Sequence, residues 1–181
     1  GLLELQAAGA IRVPAPLAVG SCDEVAFLAL EWVDLRESTP AADERLGEQL
    51  AMLHRVRADR YGWDRDNTLG STPQPNGWLA DWVRFLRERR LGHQLELALH
   101  NGHGGRLQER GRRLLEAIDV FFATYRPAPS LLHGDLWGGN RAADAAGQPV
   151  IFDPAVYYGD READIAMTRL FGSFGPRFYS A

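Results

Sequence analysis

Asp135, Asn140 and Asp153 are the residues of this chain whose types and spacing best suit chemistry. The run His133-Gly134-Asp135-Leu136-Trp137-Gly138-Gly139-Asn140 places a carboxylate five residues before an amide, and Ile151-Phe152-Asp153 brings a second carboxylate thirteen residues further on. This arrangement fits phosphoryl transfer. That reaction needs a carboxylate to orient the attacking hydroxyl and accept its proton, and oxygen ligands to hold magnesium on the nucleotide phosphates. Asp135 suits the first role, and Asn140 and Asp153 the second. The flanks agree: Ser130-Leu131-Leu132 is an apolar entry, and Gly138-Gly139 permits a tight turn around a ligand. A Gly-rich turn that merely contains an Asp, a His and an Asn is the plain alternative, and four fixed positions at this spacing weigh against it.

The elements that must position these residues follow from pattern. Leu2 to Ala8 reads as the end of a helix with Leu2 and Leu5 on one face, stopped by Gly9. Residues 17–19 and 25–30 read as two short strands, the second continuously apolar and therefore expected to be covered on both faces. From Ala41, behind a cap at Thr39-Pro40, the steps Leu46, Leu50, Leu53 and His54 predict a helix with His54 as a core histidine. Residues 61–77 form a long loop rich in Gly, Pro, Asn and Asp, a length that points to function. Helices are predicted from Trp78 to about His100, with Arg84–Arg90 as a solvated face, and from about Arg106 to Tyr125, with Leu107, Leu114, Leu115, Ile118 and Phe122 inward. A last one runs from about Arg161 through Phe171. Asp153 follows a short strand. The layout is α+β: a small piece of sheet followed by a mainly helical domain that bears the loop.

Composition narrows the function classes. The chain has 181 residues, 45% of them hydrophobic, and a net charge of −4, so it can bury one substantial core and has no basic field for nucleic acid. One cysteine, Cys22, excludes an internal disulfide framework and suits a reducing compartment, so a cytoplasmic location is expected. No apolar run is long enough for a membrane span. His93, His100 and His103 lack the spacing of zinc ligands. All 20 cationic residues are arginine, and the chain starts at Gly1 and stops at Ala181 within a pattern, which suggests a fragment.

These residues resemble the fructosamine kinase (ketosamine-3-kinase) family, within the aminoglycoside-phosphotransferase and protein-kinase-like fold. The resemblance runs over essentially all 181 residues. Leu131 to Asn140 looks like that family's catalytic loop. Asp153-Pro154-Ala155, Tyr157 to Glu162 and Asp164-Ile165-Ala166 look like its metal-binding and activation segment. Asp66 to Asn76 and Arg89-Arg90-Leu91 are similar to two further signatures. The resemblance implies a protein-kinase-like fold, with 1–30 as the remnant of an N-lobe and 31–181 as hinge and helical C-lobe.

By the same resemblance, Asp135 is the catalytic base toward a sugar hydroxyl, Asn140 and Asp153 hold Mg2+, and Glu31-Trp32-Val33 form the hinge that binds the adenine of ATP. His133 and Asp164 support the loop. Trp137 either stacks on the sugar or packs the loop. The implied activity is ATP-dependent phosphorylation of a ketosamine, a fructosamine or ribulosamine on a protein or small amine, which is deglycation. Two other readings stay open: a small-molecule kinase for an aminoglycoside or choline-type alcohol, and a pseudokinase that binds nucleotide without transfer. The family's phosphate-covering loop, strand lysine and partner glutamate have no counterpart in this chain. The segment alone is therefore expected to be weakly active or inactive.

Overall fold

The computed structural model describes residues 1–181. The chain opens with helix α1 (Leu2–Ala8), which Gly9 ends in the left-handed conformation at φ +63°. Strands β1 (Pro16–Cys22) and β2 (Val25–Leu30) form an antiparallel hairpin through a tight turn at Asp23-Glu24. Contrary to expectation, β2 is exposed along nearly its whole length. The hairpin is a two-stranded sheet by itself, and no third strand or helix among these residues covers its apolar side chains.

Helix α2 (Pro40–Leu53) follows the predicted pattern. The Thr39 hydroxyl accepts a hydrogen bond from the Ala42 N–H at 3.2 Å, and Pro40 occupies the first turn, where its missing donor costs nothing. Leu46, Leu50 and Leu53 are fully buried, each worth about 1.5–3 kcal/mol by removal from water. Gly47 lets the last helix, α7 (Pro176–Ser180), approach: a Cβ there would lie 2.3 Å from the Phe178 carbonyl oxygen.

The long loop that follows contains its own hairpin, β3 (Asn67–Leu69) with β4 (Thr72–Gln74). The helix expected from Trp78 begins later, behind the cap Asp81, and is not uniform. It comprises α3 (Trp82–Phe85), a wide π-type stretch over Leu86–Gly92, and α4 (His93–His100). At Gly92 a Cβ would sit 2.6 Å from the Arg87 carbonyl oxygen five residues back, so any side chain there would force this turn to shift. The wide turn carries Arg90 inward, which corrects the reading of Arg84–Arg90 as one solvated face. The Arg90 guanidinium lies 4.6 Å from the Phe85 ring centre and 4.1 Å from that of Tyr157.

Helix α5 (Arg106–Ala117) continues as a 3-10 turn through Phe122. Of the residues expected to face inward, Ile118 is buried, whereas Leu107 and Leu114 remain 48% and 43% exposed. Helix α5 packs on α4 and the π-type stretch.

The remaining strands build the site. β5 (Ser130–Leu132) pairs antiparallel with β8 (Tyr157–Gly159), and β6 (Arg141–Ala143) with β7 (Pro149–Ile151); helix α6 (Glu162–Leu170) then crosses beneath. A single apolar core joins Leu2, Leu5, Ile11 and Val13 to the α2 leucines, Trp82, Phe85, Leu131, Leu132, Ile151 and Tyr157. The small antiparallel sheets and the helices make an α+β fold.

Candidate active site

The loop from His133 to Asn140 leaves β5 and returns into β6, so both of its ends are anchored in strands. Gly134 turns the chain at φ +83°, and a Cβ there would come within 2.0 Å of the Ala155 carbonyl oxygen. The backbone closes the site further: Ala155 N–H donates to the His133 carbonyl at 2.9 Å, and Phe152 N–H to the Asn140 carbonyl at 3.1 Å. These two bonds set Asp153 beside the loop. Asp153 itself takes φ +54°, a left-handed conformation that costs a non-glycine residue about 1 kcal/mol or more.

Three predicted residues meet here. Asn140 Nδ2 donates to the Asp135 carbonyl at 2.9 Å and to Asp135 Oδ2 at 3.0 Å, and it lies 3.5 Å from the Asp153 carbonyl oxygen. The amide nitrogen is thereby occupied, while Asn140 Oδ1, Asp135 Oδ1 and the exposed Asp153 carboxylate accept no hydrogen bond within the chain. Burial pushes the Asp135 carboxyl above its ordinary pKa; the Asn140 hydrogen bond opposes this, and the nearby Asp153 charge adds to it. No group of three or more His, Cys, Asp or Glu side chains gathers to hold a metal ion. The free Asn140 Oδ1 and the Asp153 carboxylate suit magnesium, which takes few protein ligands and shares the rest with phosphates and water.

The loop rests on two buried residues. Asp164 Oδ2 accepts the His133 N–H and Oδ1 the Gly134 N–H, each at 2.9 Å. His54 Nε2 lies 3.0 Å from Asp164 Oδ2. His133 is saturated: Nδ1 accepts the Asp135 N–H at 3.2 Å, so Nε2 carries the proton and donates to the Phe152 carbonyl at 3.0 Å. Burial lowers the pKa of His133, in keeping with a neutral ring. Trp137 is 40% exposed, meets Phe171 edge-on at 5.8 Å, and folds over Gly139, where a Cβ would strike its ring at 2.3 Å.

Glu31, Trp32 and Val33 stand apart from this cluster. The Glu31 N–H donates to the Ala15 carbonyl at 2.8 Å, and its carboxylate accepts from Arg12 at 2.9 Å and the Ala15 N–H at 3.1 Å. Trp32 is 92% exposed, and the Trp32 and Val33 backbones make no hydrogen bond within the chain. Arg12 is the connection to the site, since its carbonyl also accepts the Ile151 N–H at 3.0 Å, on the strand that leads to Asp153. A cavity of about 470 Å3, lined by Leu2, Leu3, Leu17, Val19, Leu28 and Asp153 among others, lies between the first hairpin, the start of α1 and Asp153-Pro154.

The 61–77 loop forms an amide clamp that the sequence alone does not reveal. Gln74 Nε2 donates to the Ala155 carbonyl at 3.0 Å and Asn67 Nδ2 to the Val156 carbonyl at 2.9 Å, fixing the segment just past Asp153. Asn76 joins through Asn67 Oδ1 at 2.8 Å, and Arg90 closes the network on Asn76 Oδ1 at 2.7 Å. The signals were the length and amide-rich composition of that loop and the likeness of Asp66–Asn76 and Arg89-Arg90-Leu91 to family signatures. Glu4 accepts the Tyr158 hydroxyl at 2.8 Å and so braces α1 against β8.

The family model described as fructosamine kinase matches residues 1–181, the full chain. The chain belongs to the fructosamine kinase family. It is similar to a probable ketoamine kinase of Synechocystis sp., at 42% identity over 180 residues covering 99% of this chain and 60% of that protein. It is equally similar to a chloroplastic protein-ribulosamine 3-kinase of Oryza sativa subsp. indica, at 42% over 184 residues, covering 100% and 53%. Among solved structures, one from Haemophilus somnus 129PT, provisionally named a fructosamine-3-kinase, superposes with a TM-score of 0.89. It is 32% identical and covers 99% of this chain and 60% of that one. This fructosamine kinase chain thus spans 53–60% of the length of these curated relatives.

Proposed function

We propose that this chain carries the catalytic part of an ATP-dependent kinase that phosphorylates a hydroxyl of a ketosamine, either fructosamine or ribulosamine, on proteins or small amines. The observation that carries the proposal is the Asp135 carboxylate, held at Oδ2 by Asn140 and free at Oδ1, beside Asp153. Family membership and the names of the relatives support ketosamines over aminoglycosides or choline as acceptors.

In this reading Asp135 Oδ1 accepts the acceptor hydroxyl proton and aims its oxygen at the γ-phosphorus. As the new P–O bond forms, the bond to the ADP oxygen breaks, and the proton passes to Asp135. A carboxyl pKa raised by burial favours that uptake. Asn140 Oδ1 and the Asp153 carboxylate would hold Mg2+, which when bound neutralises charge on the phosphates. Asp164 and His133 keep the loop in shape without touching substrate. The unpaired Trp32 and Val33 backbone groups would meet adenine, with residues 1–30 as the N-lobe part and 31–181 as hinge and C-lobe. Trp137, exposed at the loop, would contact the sugar. A cytoplasmic setting goes with the free, exposed Cys22 thiol.

The test is an acceptor panel with the full-length gene product, ATP and magnesium: a fructosamine, a ribulosamine, an aminoglycoside and choline. The reading expects phosphate on the two ketosamines. Transfer to the aminoglycoside or choline alone would refute it.

A further inference from the structure

A second cavity, of about 500 Å3, opens where the end of α2, the segment ahead of β5 and the start of α6 meet. None of Asp135, Asn140 or Asp153 lines it. Its walls carry four arginines from three separate stretches, Arg55, Arg57, Arg126 and Arg161, against one carboxylate, Asp160. Backbone pairing fixes the arrangement: Arg57 bridges Ser130, and the Ala58 N–H donates to the Pro129 carbonyl at 3.0 Å.

These charges are not neutralised from within. The side chains of Arg55, Arg57 and Arg126 form no ion pair or hydrogen bond, and Arg161 meets only its neighbour Glu162 at 3.5 Å, an exposed pair of little energetic worth. Asp160 is otherwise engaged: its Oδ1 accepts the Tyr125 hydroxyl at 2.9 Å and the Glu162 N–H at 3.1 Å, and burial pushes its carboxyl toward the neutral form. A chain of net charge −4 has carboxylates in excess, so four arginines lining one cavity, three of them without a carboxylate partner, do not follow from composition. Their mutual repulsion is relieved by an anion with several oxygens, and the guanidinium fork matches phosphate geometry.

We propose that this cavity binds a small multivalent oxyanion of the phosphomonoester class, at a site distinct from that of phosphoryl transfer. His54 lines the same cavity and contacts Asp164, which holds the His133 and Gly134 N–H groups. The ligand would therefore sit within two hydrogen bonds of the catalytic loop.

Titration calorimetry with inorganic phosphate at low ionic strength tests the site. The expected result is saturable binding that weakens about tenfold or more in Arg57→Gln/Arg126→Gln, and likewise in Arg55→Gln/Arg161→Gln. Asp153→Asn, which alters the transfer site, should leave it unchanged. All these arginine side chains are exposed, so thermal melts of the variants should match the parent. Absence of saturable binding, wild-type affinity in either arginine pair, or loss of binding in Asp153→Asn would overturn the proposal.

Discussion

His54 and Asp164, 110 residues apart, meet at 3.0 Å with side chains only 5% and 1% exposed. The contact joins the end of α2 to α6 directly beneath the loop that bears Asp135. Asp164 uses its remaining capacity on the backbone of that loop, so the pair couples the core to the site. Replacing His54 by Ala leaves Asp164 short of a partner in a buried setting. We expect a loss of about 1–3 kcal/mol in stability, read as a lower urea midpoint with an unchanged slope. An unchanged midpoint would show that the contact contributes nothing.

The same carboxylate sets an acid-side dependence. Burial pushes Asp164 up, but the hydrogen bond and charge of His54, with the Gly134 N–H, outweigh it and leave the pKa below its ordinary value. A carboxyl depressed on folding contributes stability above its unfolded pKa of about 3.9 and loses it as pH falls through the folded value. Thermal melts from pH 7 downward should therefore show Asp164→Asn less stable than the parent at neutral pH. The gap should hold down to about pH 4 and narrow below it. A gap that stays constant below pH 4 would contradict this.

Gly134→Ala should be among the most damaging single changes. Its φ of +83° disfavours any side chain, and the new methyl would meet the Ala155 carbonyl at 2.0 Å. A cost of about 2 kcal/mol or more is expected from strain alone, and Asp135 should be displaced with the loop. Calorimetric melting measures the first effect, and phosphoryl transfer by the full-length product the second.

The loop and the elements that flank it were legible because their signals are local. A Gly at the turn, a capped α2 with leucines at helical steps, and an apolar strand before Asp153 are each written in a few adjacent residues. What escaped depends on distant partners. Arg90 looked like its neighbours Arg87 and Arg89 until the π-type turn swung it onto Tyr157, 67 residues on. The apolar run of β2 reads as covered, yet hydrophobicity alone does not say which element does the covering. The Asn67–Gln74–Asn76 clamp is a set of unremarkable amides until carbonyls from 155 and 156 arrive.

Arg90 offers a test of that long-range packing. Its guanidinium donates to the Pro75 carbonyl and to Asn76 Oδ1, each at 2.7 Å, beneath the Tyr157 ring. Arg90→Ala should cost about 2–4 kcal/mol by leaving those acceptors unpaired and opening a gap. Arg90→Lys should recover only part, since an ammonium cannot reproduce the two-pronged contact. Denaturant unfolding of both variants decides it; equal stability of Lys and Arg would rule out the geometric role.

The proposed role of Asp135, as base of an ATP-dependent ketosamine kinase, is decided by comparing the parent with one variant. Magnesium-dependent ATP turnover on a fructosamine acceptor should be measured for the full-length gene product and its Asp135→Asn variant. Thermal melting should be recorded on both. Burial raises the Asp135 carboxyl pKa, so its charge costs stability at neutral pH, and the variant should melt no lower than the parent. Turnover is expected in the parent, with a collapse of about a hundredfold or more in the folded variant. Comparable turnover in both, or none in either with any sugar-amine acceptor, would contradict it.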